Sequence, residues 1–188
     1  LSVAVMAAVW QVQRRTANAG WVDVAWSGLL GLLAVLHGLL GSGAPVLRVA
    51  VALAGGIWGA RLCLYLWRRV AGEAEDGRYV ALRQHWGQRQ QPMMFWFFMA
   101  QALVAWAFGW VFWAVANTGT YSPAALVAGV AVWLIAVGGE SLADRQLAAF
   151  RRNNPGQTCR HGLWRYSRPP NYFFEWLRWF SDPGFALH

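Results

Sequence analysis

The chain contains no lysine: all 16 of its basic residues are arginine, set against eight acids, and charged residues make up only 13% of its 188 positions. Together with 57% hydrophobic residues and 14 tryptophans, that scarcity of charge excludes a disordered chain and is unusual for a water-soluble domain. Cysteine is equally sparse. Cys63 sits in an apolar segment and Cys159 in a basic loop, settings too different for a disulfide or a metal site. His37, His85, His161 and His188 have no metal-ligand spacing, so no metal is expected, and there is no glycine-rich dinucleotide fingerprint or phosphate loop. Internal repeats and low-complexity linkers are also missing, which makes residues 1–188 a single domain.

What the chain has is grease in long blocks, separated by short arginine-rich loops, the pattern of an all-α, polytopic transmembrane helix bundle. The opening "LSVAVMAAVW" supplies only ten apolar residues before "QVQRR", so the sequence reads as starting inside its first helix. Five further segments follow: Trp21 to about Leu40, Val46–Trp67 entered at Pro45, Met93–Ala116 after Pro92, one from Pro123, and one after Pro169 and Pro170. The segment from Pro123 is apolar to about Gly138 and continues as helix through "ESLADRQLAAF". Proline is tolerated in a helix's first turn, so these prolines mark starts. The last segment is short: ten residues from Asn171 to Phe180 cannot cross a bilayer, and "SDPGFALH" reads as a break, as if the chain were a fragment at this end too.

A net charge of +8 would suit nucleic acid, but the arginines cluster at segment ends rather than along one soluble face, so membrane lipids and not nucleic acid are the expected surroundings. Thirteen of the 16 fall in alternate loops, after the first segment, at about 68–92 and at about 145–169, while "GSGAP" and "NTGTYSP" carry none. By the positive-inside rule the arginine-rich side is cytoplasmic.

Five stretches could carry chemistry. In "GGESLADRQLAAFRRNNPG", Glu140 and Asp144 share a helix face, with Arg151 two turns beyond and Arg152 beside it; such acids line a polar pocket or are simply a solvated helix end. In "RYSRPPNYFFEW", Asn171 and Glu175 are one turn apart, and Arg168 stands at the helix start, where free N–H groups favour an anion. With Arg151, Arg152, Arg160 and Arg165 this makes a basic basin suited to a polyphosphate, or to lipid headgroups and topology alone. In "GGIWGARLCLYLWRR", Trp58, Arg61 and Tyr65 form one helical stripe; an arginine two turns inside an apolar block faces a cavity or partner, or snorkels to the surface. Asp23 in "NAGWVDVAW" is a carboxylate near a membrane edge, able to give a proton or hydrogen bond to a carbonyl if desolvated, or to pair with Arg61 or another arginine. Glu75, Asp76, Arg78 and Tyr79 in "GEAEDGRYVALRQHWG" read first as a loop-closing salt-bridge knot.

In this order, "NAGWVDVAW", "RLCLYL", "EDGRYVALRQHWG", "ESLADRQLAAFRRN" and "GLWRYSRPPNYFFE" resemble the steroid 5α-reductase-like membrane reductases, in the bacterial branch called DUF1295. The resemblance spans nearly the whole chain. It implies a helix bundle that binds NADPH from the cytoplasmic side, in a bacterial inner membrane, and reduces a carbon–carbon double bond conjugated to a ketone in a lipophilic, steroid-like enone. Hydride goes to the β-carbon while a donor polarises the carbonyl. By position it implies that Glu140, Asp144, Arg151 and Arg152 contact the cofactor, that Asn171 holds the nicotinamide amide with Glu175 beside it, that Arg168 meets phosphate, and that Tyr166 and Tyr172 are walls. Asp23, Arg61 and Tyr65 are the candidate catalytic residues. The branch usually reads S-R-H-P-N-Y-x-G-E; here Pro169 replaces the histidine and Phe174 the glycine, while Trp58 takes the place of a substrate-polarising tyrosine. Two other functions fit the pattern: an isoprenylcysteine-type methyltransferase using S-adenosylmethionine, and a catalytically inactive lipid- or sterol-binding membrane protein.

Overall fold

The computed structural model describes residues 1–154, 157–167 and 169–185. Among these the chain is all-α, with no strand: α1 (Ser2–Thr16), α2 (Trp21–Leu40), α3 (Pro45–Gly72), α4 (Gly77–Trp86), α5 (Gln90–Ala116), α6 (Pro123–Asn153) and α7 (Pro170–Phe185). Pro45, Pro123 and Pro170 each open a helix, where the missing N–H costs nothing. Ser122 caps α6, its Oγ accepting from the Ala125 N–H. Four stretches are long and apolar enough to cross a membrane: Trp21–Leu40, Pro45–Gly72, Gly77–Ala116 and Pro123–Asn153. Leu53, Leu64, Trp96, Leu103, Val127 and Ile135 on them are each more than half exposed, a surface that hydrocarbon solvates and water does not.

The six expected segments are present, and two features differ. The polar stretch after α3 is not only a loop but contains α4, capped by Asp76, whose carboxylate accepts from the Arg78 N–H at 3.0 Å. A 3-10 turn at Gly87–Arg89 joins α4 to α5. The last helix does not stop at Phe180 but runs on to Phe185. Packing overrides the break that Pro183 suggested: Phe185 is buried against Gly129, where an added Cβ would lie 2.6 Å from its ring.

The chain falls into two compact units, Leu1–Asn117 and Thr118–His188. In the first, α2 and α3 run antiparallel, with Gly31 against Gly59 and Trp21 edge-on to Trp67 at 5.1 Å. A Cβ on Gly59 would come within 2.6 Å of the Gly31 Cα and 2.9 Å of the Ser27 carbonyl oxygen, so only glycine permits this approach. Small residues spaced four apart (Gly55 and Gly59, Ser27 and Gly31) are how apolar helices bring their backbones together. α5 closes the unit through aromatic edges, Phe95 on Trp10 and Phe108 on Trp26. In the second unit α6 and α7 are also antiparallel, with Phe174 over Gly139 and Phe185 over Gly129.

Candidate functional site

The second unit gathers its polar groups along one seam. Glu140 and Asp144, one turn apart on α6, are 3% and 5% exposed. Asn171, in the first turn of α7, donates from Nδ2 to Asp144 Oδ1 at 3.3 Å, and its Oδ1 accepts from the Tyr172 N–H at 3.1 Å. Glu175 is half-buried one turn further along α7. Then come two residues that sequence reasoning missed: Arg178 and Asp182 are fully buried, with Nη1 donating to Oδ2 at 3.0 Å. The Arg178 guanidinium also lies 3.9 Å from the Trp179 ring centroid, within electrostatic reach of Glu175 and Glu140. Asn171, Glu175, Arg178 and Asp182, spaced four, three and four, form one stripe of α7. The signal was in "RWFSD", an acid four residues after an arginine, hidden by the apparent helix end.

The segment between α6 and α7 is pinned beside this seam. Trp164 Nε1 donates to the Ala143 carbonyl at 2.9 Å, and the Leu163 N–H to Gln146 Oε1 at 2.9 Å. Gly162 makes the turn possible at φ 58°, a left-handed value. Around the C-terminal end of α6, a cleft of about 480 Å³ is lined by Phe150, Asn154, Gln157, Thr158, Arg160 and His161, with the Phe150 and His161 rings 5.7 Å apart. Arg151 and Arg152 are exposed on the last turn of α6. Tyr166 and Tyr172 are both more than half exposed and are not drawn into the buried seam. Arg168 lies outside the described residues.

The first unit holds a separate charged knot. Tyr79 Oη donates to Asp23 Oδ1 at 2.7 Å, and Arg78 Nη2 reaches Asp23 Oδ2 at 3.5 Å. Thus Asp23 pairs with an arginine, Arg78 of α4. Arg69 and Arg78 both bind Asp76, at 2.7 and 3.1 Å. Burial alone would raise the Asp76 carboxyl; the Arg78 N–H and guanidinium and the Arg69 charge outweigh it and bring it down to about 2. Arg83 grips Glu75 through Nε at 2.9 Å and Nη2 at 3.0 Å, and also donates to Gln13, while Glu75 accepts the Ala19 N–H at 2.6 Å. These bonds tie the α1–α2 connection to the α3–α4 connection, as a loop-closing knot should. Arg61 and Tyr65 lie half-buried one turn apart on α3.

Chemically, the α6–α7 seam offers a half-buried amide and buried carboxylates, able to accept hydroxyl or amide hydrogens, with exposed arginines and a polar cleft at one end. Four membrane-length helices and this buried polar seam define an all-α protein of membrane type. A family model described as a protein of unknown function (DUF1295) matches residues 9–188, and the chain belongs to that family. No curated protein and no solved structure matches it.

Proposed function

We propose that the protein is an NADPH-dependent reductase of a carbon–carbon double bond conjugated to a ketone, acting on a lipophilic, steroid-like enone at the cytoplasmic side of a bacterial inner membrane. The observation that carries this reading is the Asn171–Asp144 hydrogen bond beside buried Glu140, a polar seam between two apolar helices. Ionisable groups in such a setting are costly and are kept for function. The residues fit a nicotinamide dinucleotide phosphate in type. Asn171 has both a donor and an acceptor for a carboxamide; Glu140, Asp144 and Glu175 can accept from ribose hydroxyls; Arg151, Arg152 and Arg160 suit phosphate. From Asp144 to Asn153, the last residue of α6, is a rise of roughly 14 Å, a span on the scale of an extended dinucleotide.

The cofactor, when bound, supplies the hydride. Asn171 and the α6 carboxylates orient its nicotinamide end, and the apolar flanks of α6 and α7 keep water away. Asp23, Arg61 and Tyr65 are the candidates for polarising the substrate carbonyl in this reading. Asp23 accepts hydrogen bonds from Tyr79 and Arg78 and would have to be protonated to donate, whereas the Arg61 guanidinium and the Tyr65 hydroxyl carry donor hydrogens by their chemistry.

Titration of the purified chain in nanodiscs with NADPH, followed by cofactor fluorescence, tests the proposal. Binding should saturate, and Asn171→Ala and Asp144→Asn should each weaken it about tenfold or more, the loss of one hydrogen bond to a charged or buried partner. Binding of S-adenosylmethionine in place of NADPH would overturn it, as would NADPH binding indifferent to both substitutions.

A further inference from the structure

The first unit has a cleft that the proposed chemistry does not use. It lies between α1, α2 and α3, encloses about 450 Å³, and is lined by residues including Val5, Val9, Val12, Gly28, Cys63 and Trp67. The Cys63 thiol is the most polar side chain there apart from the indole edges. Nothing in it can hold ordered water or orient a polar ligand. In a bilayer such a cleft fills with hydrocarbon.

Its length and its end say which hydrocarbon. Along α2 the lining runs from Trp21 to Leu32, 12 residues with a rise of roughly 16 Å, about half of the ~30 Å hydrocarbon thickness and so one leaflet deep. The Trp21–Trp67 end is the arginine-rich end. There the α1 stripe of Val5, Val9 and Val12 leads on to Arg15, and Trp67 is followed by Arg68. Both arginines are exposed and, among the described residues, neither meets a carboxylate, whereas Arg69, Arg78 and Arg83 nearby are all paired with acids. Two uncommitted cations, one a turn beyond the lining residue Val12 and one next to the lining residue Trp67, together with a leaflet-deep apolar cleft, complement one ligand chemistry: an acyl chain carrying an anionic headgroup.

We propose that the α1–α2–α3 cleft binds one acyl chain of an anionic phospholipid from the arginine-side leaflet, with its phosphate held by Arg15 and Arg68. This stands independently of the reductase reading.

The test uses the full chain in nanodiscs doped with phosphatidylglycerol or phosphatidylcholine carrying a mid-chain diazirine, with crosslinked peptides identified by mass spectrometry. Phosphatidylglycerol should label the peptides holding Val5–Val12 and Cys63–Trp67 at least fivefold more than phosphatidylcholine does. Arg15→Gln with Arg68→Gln should bring the two lipids level. Val9→Trp, which fills the cleft, should abolish labelling there while labelling around exposed Leu53 persists. Equal labelling by both lipids in the unmodified chain overturns the proposal, and that readout depends on no variant folding. So does labelling no denser in the cleft than around Leu53, or displacement of the lipid from the cleft by a sterol enone.

Discussion

Arg178→Met is the most informative single perturbation of the second unit. Arg178 and Asp182 are 0% exposed and bonded at 3.0 Å, so deleting the guanidinium leaves a fully buried carboxylate with no counter-charge from its own helix turn. Removing one partner of a buried pair costs about 3–5 kcal/mol, whereas replacing both by apolar groups is often neutral. The stacking of the guanidinium on Trp179 at 3.9 Å adds to the loss. For a chain of this length each kcal/mol lowers the melting midpoint by roughly 2–4 °C, so Arg178→Met should melt roughly 6–20 °C below the parent. The double variant Arg178→Met, Asp182→Leu should recover most of that difference. It will not recover all of it if Glu140 and Glu175 also lean on the guanidinium. Intrinsic tryptophan fluorescence on heating in detergent reads all three proteins. A single variant melting within about 2 °C of the parent, or a double variant no better than the single, would refute the reasoning.

Gly59→Val should destabilise the first unit by about 1–3 kcal/mol through overpacking, because the atoms it meets are backbone of α2; Gly72→Ala, with nothing within 4 Å, should be neutral in the same melt. Asp76 is held below its ordinary 3.8, at about 2, so the stability it contributes is fully present above pH 3.8 and is lost as pH falls through 2. The gap in melting midpoint between the parent and Asp76→Asn should therefore be constant above about pH 4 and shrink toward pH 2; a gap indifferent to pH would sink this account.

Much of the fold was legible because hydrophobic blocks and prolines are local signals. Trp21–Leu40 came out with its ends correct, and Pro45 and Pro123 marked true helix starts. α4 was not legible as a helix, since "GRYVALRQHW" has no strong apolar face and its start depends on one capping carboxylate, Asp76. The polar seam was legible by parts. Helical spacing put Glu140 with Asp144 and Asn171 with Glu175, but joining the two faces needs a hydrogen bond between residues 27 apart in sequence. Arg178 and Asp182 escaped because "SDPG" is a sound local stop signal, and the docking of Phe185 onto Gly129 lies beyond what a local signal can show. In the first unit, the salt-bridge knot was expected in type, while Gln13 and the backbone of Ala19 joined it, through Arg83 and Glu75, from a segment that looked unrelated.

Phe174 stands where the motif of the resembled branch carries glycine, and it sits three residues from Asn171, close enough to spoil the seam. If its ring had been accommodated by spreading α6 from α7, the 3.3 Å bond from Asn171 to Asp144 would be among the first to break. The ring instead lies over Gly139, where an added Cβ would collide with it. Bulk on α7 is thus matched by a bare backbone on α6, and the helix spacing is kept. Gly139 neighbours Glu140, so the same close approach holds that acid in the seam. The departure at Phe174 therefore preserves the polar arrangement of the seam and adds an aromatic wall one turn from Asn171.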